Sequence, residues 1–171
     1  MNRTKWPAAQ PTRPSEVKIR TLHPGHVICA EPGERLETLL GSCVSIVLTD
    51  ARRSFGVMSH IVHAGPQVGG APGSSAHAYV ALATMYDLVR GRGLVPFCCR
   101  AWIFGGGNMF PGLVRQAHVG DANADWALGA LAADGIQILG HDVGGSRYRR
   151  LGWTVGPGAP DVVSVEMPDA T

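Results

Sequence analysis

The sequence has little of what marks several large classes of protein, and each shortage narrows the possibilities. Hydrophobic residues make up 45% of its 171 positions, yet no apolar run reaches the ~18 residues that a membrane-spanning helix needs. The formal net charge is only +2, and no basic stretch alternates with aromatic residues. We therefore expect neither insertion into a membrane nor binding to nucleic acid.

The pattern of cysteine and histidine gives no sign of a metal site. The four cysteines include no C-x-x-C pair, and the seven histidines include no H-x-x-x-H pair. The amino-terminal region also lacks the continuous apolar segment of a secretory signal, so a reducing, cytoplasmic location is expected. The cysteines are then expected to be free thiols.

Three consecutive glycines at 105–107 follow an apolar run but lack the Gly-Lys-Ser/Thr ending of a phosphate-binding loop. No nucleotide or other cofactor is therefore expected. Glycine permits close approach of the backbone, which serves either to line a substrate cleft or to pack loops tightly. Gly106, Gly107 and Asn108 are accordingly candidate substrate-binding or oxyanion-binding residues.

Composition divides the chain into three parts. Residues 1–16 carry basic residues among prolines and are expected to form a mobile arm, and residues 17–155 are expected to form a single domain. Residues 156–171 begin with Gly-Pro-Gly and form either an edge strand at 161–166 or a tail. Within the domain, residues 64–75 have no apolar period and form either a lid or an ordinary insertion.

Apolar periodicity predicts both helices and strands. One helix is expected over 75–90, capped by Ser74 or Ser75, and a second over 123–134. Strands are expected over the segments 17–28, 44–48, 56–62, 97–104, 136–139 and 151–155. This mixture indicates an α/β or α+β fold.

The strands at 44–48 and 56–62 place a cysteine and a histidine in one hairpin. If residues 50–53 form a four-residue loop, Cys43 lies directly opposite His60, with Cβ atoms about 4.5–5.5 Å apart. A thiol beside an imidazole is typical of a nucleophile with its base. The alternative interpretation is that Cys43 is a small core residue and His60 a buried structural histidine.

Five motifs in a fixed order extend this pair into a family resemblance. The motifs are Leu39-Leu40-Gly41-Ser42-Cys43-Val44, Gly56-Val57-Met58-Ser59-His60, Ile103-Phe104-Gly105-Gly106-Gly107-Asn108-Met109-Phe110, Val119-Gly120-Asp121-Ala122-Asn123 and Asp142-Val143-Gly144-Gly145. With them the chain resembles the chemoreceptor glutamine deamidases of bacterial chemotaxis, the CheD family, over roughly residues 17–155. The resemblance implies a single-domain, three-layer α/β sandwich related to the deamidating bacterial toxins.

The resemblance also implies an activity. Family members hydrolyse glutamine side chains in the cytoplasmic domain of methyl-accepting chemoreceptors to glutamate, using a cysteine nucleophile, a histidine base and an assisting threonine. Cys43 and His60 match the first two roles. Thr38 is the candidate for the third, and Glu37 is the alternative, since a carboxylate can also orient a histidine.

Two other functions remain open at this point. The chain resembles proteins that also regulate a phosphatase of chemotaxis, so a CheC-type phosphatase is a possible partner, with catalysis weak or absent. Methylesterase activity on receptor glutamyl esters is the nearer alternative, because the same thioester would form.

The chemistry of amide hydrolysis defines what the site must supply. A neighbouring imidazolium is expected to lower the thiol pKa from about 8.5, so that thiolate is present at neutral pH. Backbone amides near Gly41, Ser42 and Cys43 are candidates to hold the oxyanion, and His60 would protonate the leaving ammonia.

Overall fold

The computed structural model of this chain describes residues 17–65, 73–110 and 118–166. The arm expected over residues 1–16 and residues 66–72 of the expected lid or insertion lie outside these ranges. Within the described ranges, nine strands and two α-helices follow one another, and a short 3₁₀ turn at Pro96–Cys98 precedes β6. They are β1 (Ile19–Thr21), β2 (Val27–Ala30), β3 (Arg35–Leu40), β4 (Val44–Thr49), β5 (Gly56–Ser59), α1 (Ala78–Arg90), β6 (Arg100–Gly105), α2 (Val119–Ala133), β7 (Gln137–Val143), β8 (Arg147–Thr154) and β9 (Asp161–Glu166).

These elements form three layers. One sheet has the order β1-β3-β8-β9 and the other the order β2-β5-β4-β6-β7. One hydrophobic cluster fills the space between the two helices and the five-stranded sheet, and a second fills the space between the two sheets. The described structure therefore confirms the three-layer α/β sandwich.

β4 lies at the centre of the five-stranded sheet, and its sequence explains why. All six residues of Val44–Thr49 are buried, as expected for a strand covered on both faces. Val44, Ile46 and Leu48 face the helices, whereas Val47 faces the other sheet. Because side chains alternate along a strand, the residue before β4, Cys43, faces the other sheet as well.

Several elements differ in extent from the sequence prediction. The single strand expected over 17–28 is two strands in different sheets, separated by a turn in which Gly25 has a φ of 83°. The first helix begins at Ala78 after His77, and the Ser74 hydroxyl instead accepts a hydrogen bond from the amide of Ala76. The second helix begins at Val119 rather than at 123.

The connection between β4 and β5 is longer than predicted, which changes the register. The Asp50 carboxylate accepts hydrogen bonds from the Ser54 amide at 2.7 Å and the Ser54 hydroxyl at 3.0 Å, so the turn spans residues 50–55. Val47 consequently pairs with Met58, and Val44 with Ile61. The prediction that Cys43 directly opposes His60 is therefore wrong.

In the observed register, Ser45 lies opposite His60, and Cys43 lies diagonally across from it. The register differs from the predicted one by two residues. Because an even shift preserves the alternation of side chains, Cys43 and His60 remain on the same face of the sheet.

Candidate active site

A buried hydrogen bond joins Thr38 of β3 to His60, which directly follows β5. The Thr38 Oγ1 atom lies 2.8 Å from His60 Nδ1, and the two residues are 3% and 4% exposed. Thr38 Oγ1 also donates to the Leu22 carbonyl oxygen at 2.9 Å. Since a hydroxyl has a single proton, Nδ1 of His60 must carry the proton shared with Thr38. This tautomer leaves the lone pair on Nε2 of His60 free to act as a base.

Cys43 lies in the same layer as this pair. Its half-buried side chain packs against the cluster between the sheets, which also contains Leu36 and Leu40 of β3. Thr38 lies two residues from each of these leucines along β3 and therefore faces the same layer. The fold thus brings Thr38, Cys43 and His60 to the space between the two sheets.

Glu37, the alternative partner for His60, points away from this layer. Its Oε1 atom accepts a hydrogen bond from Nε of Arg35 at 2.6 Å on the outer face of the four-stranded sheet. Thr38 therefore occupies the position beside His60, and Glu37 does not.

The pKa shifts of Cys43 and His60 run opposite to those expected from the sequence. Burial raises the pKa of the Cys43 thiol, and burial is also the main reason that the pKa of His60 lies below its ordinary value. The Leu22 carbonyl partly offsets the shift of His60, and nearby His26 and His23 add to it. Both shifts favour a neutral thiol beside a neutral imidazole over the thiolate–imidazolium pair that the sequence leads one to expect. Within the described residues, no hydrogen bond joins Cys43 to His60. Their diagonal placement accounts for this.

The loop that carries Cys43 is held through three consecutive carbonyl groups. The Gly41 carbonyl accepts a hydrogen bond from the Gly107 amide at 2.8 Å, and the Cys43 carbonyl accepts one from the Gly106 amide at 2.8 Å. Between them, the Ser42 carbonyl accepts one from the Asn123 side chain at 3.0 Å. The orientation of the loop is therefore fixed through its carbonyl groups.

These bonds change the role expected for the glycine segment. The amides of Gly106 and Gly107 bind the Cys43 loop, and the Asn108 amide donates to the Gly145 carbonyl at 2.7 Å. All three amides are thus bonded within the fold, and a role of these residues in binding the substrate or its oxyanion stays a prediction. The tight-packing alternative describes them better. In contrast, the amides of Ser42 and Cys43 donate to no acceptor in the described part of the chain.

Close approach explains why glycine occurs beside this loop. Gly105 has a φ of 107°, and a Cβ atom there would collide with the Cys43 carbonyl. Gly41 is also confined, because a Cβ atom would lie 3.0 Å from the Tyr148 ring and 3.2 Å from Met109.

Asn123 is a site residue whose role sequence reasoning missed. It is 1% exposed, and it contacts the segment before Cys43 and the segment after His60 through its side-chain amide. The motif that ends in Asn123 was visible in the sequence, but its contacts cross from one half of the chain to the other.

A cavity of about 390 Å³ lies on the helix side of Asn123 and is lined by His63, Ala64, His77 and Val119, among others. Cys43 and His60 do not line it.

No group of three or more potential metal-binding side chains occurs in the described ranges. The described helices include none long and apolar enough to cross a membrane.

Comparison with known proteins decides the family. Residues 67–160, more than half of the chain, match the family model described as CheD chemotactic sensory transduction. The chain belongs to the CheD family. The matched segment begins after His60, so the three candidate catalytic residues precede it.

CheD relatives align over longer stretches. A protein of Albidiferax ferrireducens named "Probable chemoreceptor glutamine deamidase CheD 2" is 35% identical, covering 80% of this chain and 82% of that protein. One from Jannaschia sp., named "Probable chemoreceptor glutamine deamidase CheD", is 32% identical and covers 79% and 75%. The protein of Dechloromonas aromatica named "Probable chemoreceptor glutamine deamidase CheD 3" is 34% identical and covers 85% and 86%. An alignment that covers 85% of this chain necessarily includes Thr38, Cys43 and His60.

One solved structure also aligns with this CheD chain. The crystal structure of the Bacillus licheniformis hypothetical protein YfiH matches with a TM-score of 0.40 and 15% identity, covering 77% of this chain and 61% of that one.

Proposed function

We propose that this CheD-family chain is a protein-glutamine glutaminase that hydrolyses glutamine side chains in the cytoplasmic domain of bacterial chemoreceptors to glutamate. The observation that carries the proposal is the buried Thr38–His60 hydrogen bond, which orients a base in the layer that contains Cys43. The names of the relatives supply the substrate class, chemoreceptor glutamine.

The first half of the reaction forms a thioester. His60 takes the thiol proton on Nε2 as the Cys43 sulfur attacks the carboxamide carbon, so that thiolate forms during attack rather than before it. The tetrahedral intermediate then collapses, the carbon–nitrogen bond breaks, and His60 returns the proton to the departing ammonia. The acyl group remains on Cys43.

The second half releases the product. His60 removes a proton from water, the hydroxide adds to the thioester carbon, and the carbon–sulfur bond breaks as the sulfur regains a proton. The receptor side chain becomes glutamate and gains a negative charge. His60 thus moves a proton in both halves, which is why its tautomer must be fixed.

The oxyanion of each intermediate needs donors that the fold leaves unused. The amides of Ser42 and Cys43 meet this condition within the described residues, since neither donates to an acceptor there and the three carbonyls of their loop are all bonded. Backbone amides held in place before reaction stabilise the developing charge without reorganising. We assign the oxyanion site to these two amides.

The diagonal placement of Cys43 and His60 is compatible with this chemistry. Diagonal neighbours on a sheet face are about 7–8 Å apart at the backbone, farther than directly opposed residues. The extra distance leaves room for the carboxamide nitrogen between the sulfur and the imidazole, where it must accept its proton.

The experiment that tests the function follows the mass of receptor peptides. The protein, a Cys43→Ala variant and a Cys43→Ser variant are each incubated with the glutamine form of a chemoreceptor cytoplasmic domain from the same organism, followed by digestion and mass spectrometry. We expect specific receptor glutamines to gain the mass difference of one deamidation with the wild type, and no such gain with either variant.

Two outcomes would overturn the proposal. Deamidation that persists in the Cys43→Ala variant would exclude Cys43 as the nucleophile. No deamidation by a folded wild type, together with binding to a CheC-type phosphatase, would favour the regulatory function.

A further inference from the structure

Asn123 connects the two chain segments that carry the nucleophile and the base. Its Nδ2 atom donates to the Ser42 carbonyl at 3.0 Å and to the Val62 carbonyl at 2.9 Å, and its Oδ1 atom accepts from the Ala64 amide at 2.7 Å. Ser42 immediately precedes Cys43, and Val62 follows His60 by two residues. Both N–H groups of the buried amide are therefore used.

These bonds stand where the β4–β5 ladder ends. Val44 and Ile61 exchange both backbone hydrogen bonds, at 2.9 and 2.8 Å. The next such pair in this register would join Ser42 to His63. Instead, the His63 amide donates to the Ala76 carbonyl, and the His63 carbonyl accepts from the Ala78 amide. The Asn123 side chain takes the place of this missing pair.

Only a side-chain amide fits these three partners. Two carbonyl groups need two donors, and the Ala64 amide needs an acceptor, all reached from one planar group. Aspartate has the same shape but, when ionised, would face two carbonyls without a donor. An apolar side chain would leave the Ser42 and Val62 carbonyls and the Ala64 amide without these partners, which destabilises the arrangement.

We propose that Asn123 is a positioning residue, which sets the distance and orientation of Cys43 relative to His60 by clamping the Ser42 carbonyl to the segment after the base. The proposal rests on Cys43 and His60 forming the reactive pair described above. Asn123 itself touches neither the thiol nor the imidazole in this role, and it acts through Ser42, Val62 and Ala64.

A double-mutant cycle on thiol reactivity tests this role without a receptor. The alkylation rate of Cys43 by iodoacetamide is measured across pH for the wild type, His60→Ala, Asn123→Ala and the double variant, with the product assigned to Cys43 by peptide mass. In the wild-type background, His60→Ala should slow alkylation at neutral pH. In the Asn123→Ala background, the same substitution should change the rate much less. The ratio of the alkylation rates with and without His60 should therefore approach one.

Leu128→Ala is the matched control, because Leu128 is a half-buried residue of the same helix, one that packs against the helix-side core. It should weaken folding while leaving the effect of His60→Ala at its wild-type ratio. An undiminished ratio in the Asn123→Ala background would overturn the proposal. A ratio of one in the wild-type background would instead contradict the reactive pair, and with it the proposed mechanism.

Asn123→Ser provides a second variant, since its smaller side chain leaves space for water to bridge the same groups. If neither variant folds, NMR of the wild type gives the answer. The Asn123 side-chain amide signals should shift when Cys43 is alkylated, and unchanged signals would overturn the proposal.

Discussion

Thr38 and His60 are joined by a hydrogen bond whose direction is fixed by a third group, the Leu22 carbonyl. Because Thr38 gives its only proton to Leu22 at 2.9 Å, it must accept from Nδ1 of His60 at 2.8 Å. The carbonyl of a residue between β1 and β2 thus determines which ring nitrogen of His60 is basic.

Removing the Thr38 hydroxyl should therefore lower the rate of the chemical step. Thr38→Val keeps the shape of the side chain but leaves the ring orientation of His60 unsupported. We expect kcat to fall by about tenfold to a hundredfold, as for small misplacements of a catalytic group. Thr38→Ser should retain most of the activity, measured as deamidation of a receptor peptide.

Glu37→Gln is the control for that substitution, because Glu37 binds Arg35 on the outer face of the sheet. Its kcat should remain close to that of the wild type. A large loss in Glu37→Gln and none in Thr38→Val would reverse the assignment of the third residue.

The directions of the two pKa shifts predict the pH dependence. His60 must be neutral to act as a base, and burial lowers its pKa from the ordinary 6.5, so kcat/KM should persist at pH values where an ordinary histidine is already protonated. Burial raises the pKa of Cys43, so the pH midpoint for alkylation should lie above that of an ordinary cysteine in His60→Ala. An acid limb above 6.5 would contradict the shift of His60.

The same shift of His60 has a consequence for stability. The unfolded chain binds a proton at a higher pH than folded His60 does. The free energy of unfolding should therefore decrease as pH falls from about 6.5 toward the lower folded pKa. Chemical denaturation of the wild type and of His60→Gln over this interval measures the contribution, which should be absent in the variant.

Gly105→Ala should damage the site more than the strain of its backbone alone explains. A positive φ costs a non-glycine residue about 1–2 kcal/mol, but at Gly105 the added Cβ atom also meets the Cys43 carbonyl. We expect kcat to fall more than tenfold because the nucleophile loop must shift.

Gly144→Ala is a matched control, since Gly144 also has a positive φ, of 76°, and a Cβ atom there meets nothing within 4 Å. The Gly144→Ala variant should lose stability through similar backbone strain and should keep the kcat of the wild type. Equal losses of kcat in the two variants would show that the contact with Cys43 is unimportant.

The ion pair between buried Arg149 and partly exposed Asp142 should contribute to acid-sensitive stability. Arg149 is 0% exposed, and its Nη2 atom donates to the Asp142 carboxylate at 2.8 Å and to the Gly144 carbonyl at 2.7 Å. Arg149 is the main cause of the lowered pKa of Asp142. Asp142→Asn should reduce the free energy of unfolding by roughly 2–4 kcal/mol, because a buried cation loses its counter-charge.

For Asp142 the folded pKa is the lower one, so its contribution is present above the ordinary value of 3.8 and is lost as pH falls through the folded pKa. Asp161→Asn is the control, since Asp161 pairs with Arg35 at the surface, where an ion pair contributes about 0–1 kcal/mol. Urea denaturation that gave equal effects for both variants would contradict the larger contribution of the Arg149–Asp142 pair.

The candidate pair could be predicted from the residues because alternation along a strand is local information, whereas the three layers were implied by the family resemblance. The even spacing that sends Cys43 and Val47 to one face is visible in the sequence. The same alternation, with Leu36 and Leu40 on either side, would have favoured Thr38 over Glu37 as the inward residue. The two-residue spacing of Thr38 from both leucines is thus enough to identify it as the inward residue.

The β4–β5 register and the contacts of Asn123 could be seen only in the folded chain. The Asp50 carboxylate extends the turn to six residues, and a loop of that length cannot be distinguished from a four-residue one by composition. Asn123 lies 81 residues from Ser42, and no periodicity links a helix residue to a loop carbonyl at that separation. Likewise, the use of the Gly106 and Gly107 amides in tight packing depends on where the Cys43 loop lies.

Trapping the acyl group on Cys43 tests the central claim most directly. The protein is incubated with receptor cytoplasmic domain in the presence of hydroxylamine, which attacks a thioester to give a hydroxamate and free thiol. The account predicts hydroxamate at the same glutamines that otherwise become glutamate, increasing with hydroxylamine concentration and absent with Cys43→Ala. Deamidation that proceeds at its full rate with no hydroxamate at any concentration would contradict a thioester on Cys43.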